Sequence, residues 1–406
     1  MVLKGNAVIA QSGGPTAVIN NSVCGAVQEW MRREAPGVIF AGIGGVKGIL
    51  EGKLLDMTKQ DTQVIEGLRY TPGAAIRSCR YQMKPDDQEK LLEICRRHNI
   101  RYFFYNGGND SMDTAHKTFL TAQAAGYEMQ VIGLPKTVDN DLPFTDHCPG
   151  YGSAAKYIAA TVRETGFDLE SVTSSNKVTI LEAMGRNAGW LTAAGALAKR
   201  SAEEAPHLIY LPETPFYEER FLADVERVYQ KLGYVYIVVS EGISDGKGEY
   251  YSAGASTDAF GHKQLSGAGE SLKRVIEQKL KIKARCNTLG TAQRSAGHFA
   301  SRRDAEEAYA VGAEAVKYAL SGQSGFMVAI KRISGEPYQA ALEPVELSKV
   351  ANVEHKLPTH WINGAGNFVT DEFIEYARPL IEGEPDLPMK DGLPDYVRLD
   401  FSRGRI

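Results

Sequence analysis

The amino-acid sequence predicts an α/β protein with two doubly wound, mostly parallel sheets and a C-terminal extension. Strand-like and helix-like patterns alternate up to about residue 331, and such alternation is typical of parallel sheets covered by helices. A length of 406 residues accommodates two such sheets, each with its own core. The chain after about residue 350 is rich in proline, glycine and acidic residues, so we expect an irregular extension there.

Short apolar runs predict the strands, and stretches with apolar residues on one face predict the helices. The predicted strands are residues 8–10, 38–41, 102–105, 129–134, 177–182, 208–211, 234–239 and 326–331. The predicted helices are residues 17–33, 86–97, 110–125, 188–199, 216–231, 270–281 and 305–320. We therefore expect a first domain of residues 1–150 with about 295–350 returning to it, a second domain of residues 151–294, and the extension 351–406.

Composition disfavours several classes of protein. A net charge of −4 and 24% charged residues give no basic excess of the kind that nucleic-acid binding requires. Five cysteines, an odd number without a CxxC pair, predict reduced thiols and a cytoplasmic location. The first strand breaks at Gly13-Gly14-Pro15, too early for a signal peptide, and no apolar run predicts a membrane partner. The eight histidines show no metal-binding spacing.

Three glycine-bearing turns follow predicted strands, at residues 11–16, 105–111 and 184–187. Glycine lets backbone N–H groups approach an anion at a helix N-terminus, so three such turns indicate an anion cleft. An alternative is that Asn109, Asp110 and Ser111 are simple helix caps. Neither GxxxxGK[ST] nor GxGxxG occurs in these turns, which argues against a Walker-type loop and a nicotinamide dehydrogenase.

The segment Pro135–Asp141 follows a buried strand and carries the chemistry that stands out most. Asp139 is the candidate general base, with Asp141 two residues away and Lys136 as a nearby cation. This set of groups suits phosphoryl transfer, where positioning and charge stabilisation dominate. The alternative is a turn in which Asp139, Asn140 and Asp141 only cap backbone groups.

Taken in order, these motifs resemble those of the phosphofructokinases from the first strand to about Arg332. The resemblance implies two sheet domains of the phosphofructokinase type, the first binding the phosphoryl donor and the second the sugar phosphate. It also implies that Asp139 takes the proton from the 1-hydroxyl of fructose 6-phosphate, with Lys136, Asp110 and Arg186 as the other catalytic residues. The implied donor-binding residues are Gly13, Arg80, Gly108, Asp110 and Lys136. The implied substrate-binding residues are Thr137, Asp139, Asp141, Lys177, Met184, Gly185, Arg186, Glu241, Arg285, Thr291 and Arg294.

The resemblance further implies that Lys177 and Arg285 reach the substrate of a neighbouring subunit. The predicted assembly is therefore a homodimer or homotetramer with shared active sites. Two positions differ from the related sugar sites, because Thr291 replaces a histidine and Lys177 replaces an arginine.

Asp110 and Lys136 favour pyrophosphate as the donor. ATP-using phosphofructokinases usually carry glycine at both positions, whereas the pyrophosphate-using branch carries Asp and Lys, as this chain does. A carboxylate at Asp110 would repel the α-phosphate of a nucleotide, and Lys136 would bind the transferring phosphates. The expected cofactor is Mg²⁺, held by Asn109 and Asp110, although Asn109 stands where many members have a better ligand, aspartate.

The sequence thus predicts a reversible, pyrophosphate-dependent phosphorylation of fructose 6-phosphate to fructose 1,6-bisphosphate in glycolysis and gluconeogenesis. Three alternatives stay open. The first is an ATP-dependent 6-phosphofructokinase, and the second is a pyrophosphate-dependent sedoheptulose 7-phosphate kinase. The third is a non-catalytic phosphate sensor, against which the intact Asp139 argues.

Overall fold

The structure is a computed structural model that describes residues 2–251 and 267–405. Packing divides the chain into two units. Unit 1 comprises Met1–Ser153, Arg294–Glu354 and Glu382–Ile406, and unit 2 comprises Ala154–Gln293 and His355–Ile381. The residues after 350 are thus divided between the units and do not form one separate extension.

Particular side chains explain this division of the C-terminal residues. In unit 2, the rings of Trp361 and Tyr376 pack against Trp190, with centroids 5.9 Å and 5.4 Å away. In unit 1, Leu399 is buried in the core and Val397 packs against it. Each part of the extension therefore covers apolar surface of the unit to which it belongs.

Unit 1 contains an eight-stranded sheet within its described residues. Its strands are β1 (Asn6–Ser12), β2 (Ile39–Gly42), β3 (Leu54–Asp56), β4 (Ser78–Cys79), β5 (Ile100–Gly107), β6 (Gln130–Pro135), β11 (Phe326–Gly335) and β12 (Tyr338–Glu346). The order across the sheet is β12-β11-β6-β5-β1-β2-β3, and β4 also pairs with β1. Only the pairs β2–β3 and β11–β12 are antiparallel, which confirms the predicted mostly parallel sheet.

Unit 2 contains a four-stranded sheet within its described residues, and all its neighbouring strands are parallel. Its strands are β7 (Val178–Ala183), β8 (Leu208–Tyr210), β9 (Val235–Ser240) and β10 (Ala284–Thr288). Their order is β10-β7-β9-β8. A small antiparallel hairpin, β13 (Met389–Lys390) with β14 (Leu393–Pro394), belongs to unit 1.

The helices cover the sheets as the alternating pattern predicted. The described helices are α1 (Ile19–Arg32), α2 (Gly45–Leu50), α3 (Thr62–Gly67), α4 (Pro85–Arg97), α5 (Asn109–Ala124), α6 (Tyr151–Ser171), α7 (Trp190–Ala193), α8 (Glu218–Leu232), α9 (Ala268–Lys279), α10 (Ala292–Ser295), α11 (Arg302–Leu320), α12 (Leu347–Val350) and α13 (Asp371–Ala377). Short 3₁₀ helices occupy Met57–Lys59, Ala194–Ala198, Gly297–Phe299, Thr359–Trp361 and Arg378–Ile381. None of the described helices is long and apolar enough to cross a membrane.

The sheet of unit 1 is covered on both faces. Along β1, Ala7 and Ile9 join a core that contains residues of α1 and α11. The alternate residues Val8 and Ala10 join a second core with residues of α4 and α5. Because successive side chains of a strand point to opposite faces, one buried strand supplies both cores. The two cores explain why the strand is continuously apolar.

Some elements differ from the sequence predictions. The predicted helix 188–199 is wrong as one helix, since α7 ends at Ala193 and a 3₁₀ helix follows. A methyl group at Gly195 would lie 3.0 Å from Val238, so this segment packs closely on β9. The unpredicted elements include α6, β10 and β12. Four of the five residues of β10 are at least partly exposed, so it lacks the apolar run that identifies a buried strand.

Candidate active site

The two glycine turns of unit 1 lie where the order of the strands reverses. β1 and β5 are neighbours, but the chain continues from β1 to β2 on one side and from β5 to β6 on the other. Ligands of open α/β sheets bind at the carboxyl ends of strands at such a switch point. Gly13-Gly14 follows β1, and β5 ends at Gly107, followed by Gly108. Sheet topology therefore places both predicted anion-binding turns at one crevice.

The turn after β1 is a left-handed bend held by neighbouring backbone. Gly13 has a φ of +78°, and its N–H donates to the carbonyl of Cys79 at 3.0 Å. A methyl group at Gly14 would run into the guanidinium of Arg294 and would lie 3.8 Å from that of Arg80. The structure thus brings Gly13, Arg80 and Arg294 to one turn, a basic surface around half-buried backbone.

Lys136 lies inside this basic surface. Its Nζ donates to the carbonyl of Gly14 at 2.8 Å, and the residue is only 4% exposed. Burial lowers the pKa of Lys136 to about 8, and the nearby charge of Asp141 works against this shift. The side chain is therefore a fixed cation with a labile proton next to the glycine turn, whereas an ordinary surface lysine would be mobile and fully protonated.

The two aspartates that follow differ in environment. Asp139 is half-buried, and its N–H donates to Thr137 Oγ1 at 3.1 Å. Burial and the charge of Asp139 raise the pKa of Asp141 well above its ordinary value. The Oδ1 of Asp141 is also buried without a hydrogen-bond partner among residues 2–251 and 267–405. An acceptor left unsatisfied in a polar cleft fits a group that binds a substrate hydroxyl.

Asn140, between the two aspartates, caps a backbone group of a later segment. It adopts a φ of +53°, and its Oδ1 accepts a hydrogen bond from the N–H of Cys148 at 2.8 Å. Asparagine tolerates this left-handed conformation better than other non-glycine residues. The capping that the alternative interpretation expected therefore occurs at Asn140.

The turn after β5 opens α5 without a side-chain cap. Gly108 is the N-cap residue, and Asn109 and Asp110 lie in the first helical turn. The interpretation of these residues as simple caps is therefore wrong. Asp110 is exposed, whereas Asn109 donates from Nδ2 to the carbonyl of Val353 at 2.6 Å. The Oδ1 of Asn109 is buried and has no partner within the described chain.

Unit 2 has its own switch point, between β7 and β9. The chain leaves β7 towards β8 on one side, and it leaves β9 towards β10 on the other. Gly185 follows β7 and Glu241 follows β9, and the N–H of Gly185 donates to Glu241 Oε1 at 3.4 Å. The residues that the structure gathers at this edge are Met184, Gly185, Arg186 and Glu241.

Backbone contacts hold this second site in shape. Gly185 has a φ of +127°, and its carbonyl accepts from Ser240 Oγ at 2.6 Å. The N–H of Met184 donates to Gln293 Oε1 at 3.1 Å. These roles of Ser240 and Gln293 have no signal in the sequence, because a side chain that holds distant backbone leaves no local pattern. The Nε of Arg186 is buried without a partner in the described residues, so it is available to a ligand.

Lys177 and Arg285 lie at the opposite end of the same sheet. Lys177 precedes β7, and Arg285 on β10 is in register with Thr179. Neither side chain forms a hydrogen bond or ion pair with residues 2–251 or 267–405, and Arg285 is exposed. Lys283 lies beside them, because its carbonyl accepts from the N–H of Lys177. The structure thus gathers three cations away from Met184–Arg186. Thr291 is exposed and follows the carboxyl end of β10.

No group of three or more His, Cys, Asp or Glu residues in the described chain could hold a metal ion by itself. The five cysteines are free thiols, as predicted. Burial raises the pKa of Cys24 and Cys95 to about 12, so these thiols are not nucleophiles at neutral pH.

Comparisons with known proteins agree with this arrangement. A profile of the family described as Phosphofructokinase matches residues 6–319. The chain is 45% identical over 404 residues to the pyrophosphate–fructose 6-phosphate 1-phosphotransferase of Xanthomonas campestris pv. campestris (strain B100), covering 98% of this chain and 96% of that protein. The protein of the same name from Halomonas elongata is 45% identical over 401 residues, which cover 97% of this chain and 96% of the relative.

A solved structure shares the fold over almost the whole chain. The crystal structure of a pyrophosphate-dependent phosphofructokinase from Marinobacter aquaeolei has a TM-score of 0.91 and 43% identity, and the match covers 98% of this chain and 97% of that one. Family motifs, sheet topology and near full-length similarity therefore coincide, and this chain belongs to the phosphofructokinase family.

Proposed function

We propose that this protein transfers a phosphoryl group from pyrophosphate to the 1-hydroxyl of fructose 6-phosphate. The products are fructose 1,6-bisphosphate and phosphate, and the reaction is reversible because a phosphoanhydride is exchanged for a sugar phosphate ester of comparable driving force. The observation that carries the proposal is the buried ammonium of Lys136, held 2.8 Å from the carbonyl of Gly14 at the switch point of unit 1. The names of the relatives at 45% identity support the same donor and sugar.

Lys136 and Asp110 together explain the choice of donor. Lys136 replaces the glycine of ATP-using phosphofructokinases and supplies a positive charge where the phosphates of the donor would lie. Asp110 is exposed in the first turn of α5, so its carboxylate would oppose the additional phosphate of a nucleotide. Pyrophosphate carries no adenosine and needs no pocket for it.

The residues of unit 1 fit a Mg²⁺ ion that is carried mainly by the donor. The unsatisfied Oδ1 of Asn109 is an oxygen ligand in need of a partner, and Asp110 offers a carboxylate one residue later. Mg²⁺ commonly binds through one or two protein oxygens, water and the phosphates of its substrate. When bound, it would neutralise charge on the pyrophosphate oxygens.

In the proposed mechanism, Asp139 accepts the proton of the sugar 1-hydroxyl while the oxygen attacks the distal phosphorus. Lys136 stabilises the negative charge on the phosphates and on the leaving phosphate. Asp141, which burial and Asp139 keep readily protonated, would hold the sugar hydroxyl without competing for the same proton. We assign Arg80 and the turns at Gly13 and Gly108 to the donor, and Thr137 and Arg294 to the sugar phosphate.

In unit 2, we assign Met184, Gly185, Arg186 and Glu241 to fructose 6-phosphate. Glu241 can accept hydrogen bonds from sugar hydroxyls, and the free Nε of Arg186 can donate to a phosphate oxygen. Arg186 is also a proposed catalytic residue that would stabilise charge in the transition state.

A shared active site follows from the positions of Lys177 and Arg285. Met184 lies seven positions after Lys177 along an extended strand, a distance of about 23 Å at the usual rise of about 3.3 Å per residue. The four-carbon stem of a lysine cannot span that distance. We therefore propose that Lys177 and Arg285 serve the sugar phosphate at a site of a second subunit, in a homodimer or homotetramer. We assign Thr291, which follows the carboxyl end of β10, to fructose 6-phosphate together with Met184 and Glu241.

A panel of donors and sugars tests the function. We expect fructose 1,6-bisphosphate from fructose 6-phosphate and pyrophosphate at matched Mg²⁺, with little or no product from ATP. The reverse reaction, with phosphate and fructose 1,6-bisphosphate, should release pyrophosphate. Asp139→Asn serves as the control for contaminating kinase.

Faster turnover with ATP would overturn the assignment of the donor. Faster turnover of sedoheptulose 7-phosphate than of fructose 6-phosphate would overturn the assignment of the sugar. Binding of pyrophosphate without turnover of any sugar would indicate the phosphate sensor.

A further inference from the structure

Unit 1 contains a feature near the donor turn that the proposed mechanism does not use. Residues 351–354, here called the strap, run along the N-terminal end of α5. Two side chains of α5 that lie one helical turn apart bind the strap. Nδ2 of Asn109 donates to the carbonyl of Val353 at 2.6 Å, and Nδ2 of Asn352 donates to Asp113 Oδ1 at 3.0 Å.

The strap is anchored to the core and is not a loose tail. It follows α12, whose residues Leu347 and Val350 are completely buried. The N–H of Ala351 donates to the carbonyl of Leu347 at 2.9 Å, and that of Val353 donates to Val350 at 3.3 Å. The carbonyl of Val353 therefore reaches Asn109 from a turn that is itself fixed by packing and hydrogen bonds.

This carbonyl determines which way the amide of Asn109 faces. A backbone carbonyl only accepts hydrogen bonds, so it selects the NH₂ group of the asparagine and turns Oδ1 the other way. That Oδ1 is buried and unpartnered in the described chain. A buried acceptor held in one orientation and left unsatisfied is the arrangement expected for a ligand oxygen whose ligand arrives with the substrate.

Asn352 is suited to hold the strap in place. Its φ of +60° is a conformation that asparagine tolerates better than other non-glycine residues. Its partner Asp113 is itself fixed by Lys117, with an Nζ–Oδ2 distance of 2.6 Å. The following residue of the strap, Glu354, lies close enough for its charge to help raise the pKa of Asp141.

We propose that the strap is part of the pyrophosphate site, and that Asn352 is a positioning residue that holds the amide of Asn109 with Oδ1 presented to metal-bound pyrophosphate. The inference rests on the proposed function, since it assigns the ligand of Asn109 to the phosphoryl donor. Asn109 touches the donor complex, whereas Asn352 acts only through the strap.

Asn352→Gly tests this role with little backbone strain, because glycine readily adopts a positive φ. Loss of one ordinary hydrogen bond should raise the Michaelis constant for pyrophosphate about 3- to 10-fold. The constant for fructose 6-phosphate and kcat should change by less than about twofold, since the sugar site and the base are untouched. The matched control is Asp391→Gly, which replaces another exposed residue of positive φ, 50°, in the hairpin of unit 1.

A binding measurement without sugar separates the strap from turnover. Mn²⁺-pyrophosphate should bind Asn352→Gly more weakly by the same factor in calorimetry or electron paramagnetic resonance. Asn352→Asp, which repels Asp113, should weaken binding at least as much. The double variant Asn352→Asp/Asp113→Asn restores a donor–acceptor pair, so it should bind Mn²⁺-pyrophosphate more tightly than Asn352→Asp alone.

The outcomes distinguish the two proposals. The wild type should bind Mn²⁺-pyrophosphate and turn it over. If Asn352→Gly and Asn352→Asp then have the same Michaelis constant for pyrophosphate and the same affinity for Mn²⁺-pyrophosphate as the wild type, the strap proposal is overturned and the proposed function stands. If the variants have a lower melting temperature but an unchanged Michaelis constant and affinity for pyrophosphate, the strap has only a structural role and the strap proposal is likewise overturned. If the wild type does not bind Mn²⁺-pyrophosphate, both proposals fail.

Discussion

At the scale of single residues, chemistry concentrates on Asp139 and Lys136, which lie three positions apart after β6. Their difference in burial assigns their roles. Asp139 is half-buried and accessible to a substrate, whereas Lys136 is fixed at the glycine turn. A proton acceptor needs contact with the attacking hydroxyl, and a charge stabiliser needs a fixed position.

Asp139→Asn should lower kcat by about 10²–10⁴, the usual contribution of a positioned general base. Both Michaelis constants should change much less, because the asparagine keeps the shape of the side chain. Steady-state assays with pyrophosphate and fructose 6-phosphate measure both quantities. A variant that retained most of its turnover would show that Asp139 is only a turn residue.

The lowered pKa of Lys136 predicts that the specificity constant for pyrophosphate decreases at alkaline pH. Burial lowers the pKa of Lys136 to about 8, so the free enzyme loses this positive charge as the pH rises through that value. The specificity constant for pyrophosphate should therefore fall above about pH 8, whereas kcat should hold to higher pH, since bound pyrophosphate favours the charged form. The arginine of Lys136→Arg stays charged, so the remaining activity of this variant should not show the alkaline decrease in the specificity constant. A wild-type profile that stays flat to pH 9.5 would contradict this role.

At the scale of elements, the turn between β5 and α5 uses its two glycines differently. A methyl group at Gly107 would lie 2.5 Å from Ser111 Cβ and 3.3 Å from Ser12 Cβ, which is too close on both sides. A methyl group at Gly108 would lie 3.6 Å from the carbonyl of Lys136, an ordinary contact. Gly107 is thus required by packing, and Gly108 is free to serve the ligand.

This difference predicts opposite results for two alanine variants. Gly107→Ala should cost about 1–3 kcal/mol of stability through overpacking, seen as a lower melting temperature. Gly108→Ala should keep the melting temperature but raise the Michaelis constant for pyrophosphate, since the methyl group blocks close approach to the backbone. The prediction fails if Gly108→Ala unfolds at the lower temperature of the two, or binds pyrophosphate normally.

A second element-scale feature joins the segment after the catalytic turn to α11. His147 is buried between Asp146 Oδ1 at 2.8 Å and Glu307 Oε2 at 2.6 Å. Burial alone would lower the pKa of His147, but the charges and hydrogen bonds of Glu307 and Asp146 raise it to about 9. The imidazole is therefore charged at neutral pH and compensates two carboxylates.

His147→Gln should cost about 3–5 kcal/mol near pH 6.5, since it removes the buried positive charge that lies between the carboxylates of Asp146 and Glu307. A pKa raised in the folded state contributes stability that is fully present below the unfolded value of 6.5 and is lost as the pH rises through about 9. The difference in melting temperature between wild type and variant should therefore shrink from pH 6.5 to 9.5. A difference that stays constant over this range would contradict the charged histidine.

At the scale of the whole molecule, the cations at the amino ends of β7 and β10 predict a shared site. Arg285→Ala should raise the Michaelis constant for fructose 6-phosphate about tenfold or more, the usual effect of losing a charge-assisted hydrogen bond. The constant for pyrophosphate should stay nearly unchanged. Steady-state assays with each substrate varied in turn measure both constants.

Mixing the Asp139→Asn and Arg285→Ala proteins tests the shared site directly. A hybrid dimer contains one site with native Asp139 from one subunit and native Arg285 from the other. Activity at low fructose 6-phosphate should therefore exceed the average of the two separate variants after subunit exchange. A fully active monomer in sedimentation under assay conditions would contradict the shared site.

Much of the molecule was determined by local sequence. Continuous apolar runs such as Val131–Leu134 predicted buried strands, and the glycine turns predicted where ligands approach. These signals are readable because periodicity and turn chemistry act over a few residues. The order of the family motifs predicted the activity, and the similarity to pyrophosphate-using relatives supports that prediction.

How these local signals combine depends on contacts between segments that are distant in the chain. The neighbours β1 and β5 are about 90 residues apart in the chain, so no local pattern reveals that they form the switch point. The same holds for the carbonyl of Val353 that orients Asn109, and for the carboxylate of Glu307 that keeps His147 charged. Each depends on a contact between distant segments, which arises from the packing of whole elements and not from residue type or spacing.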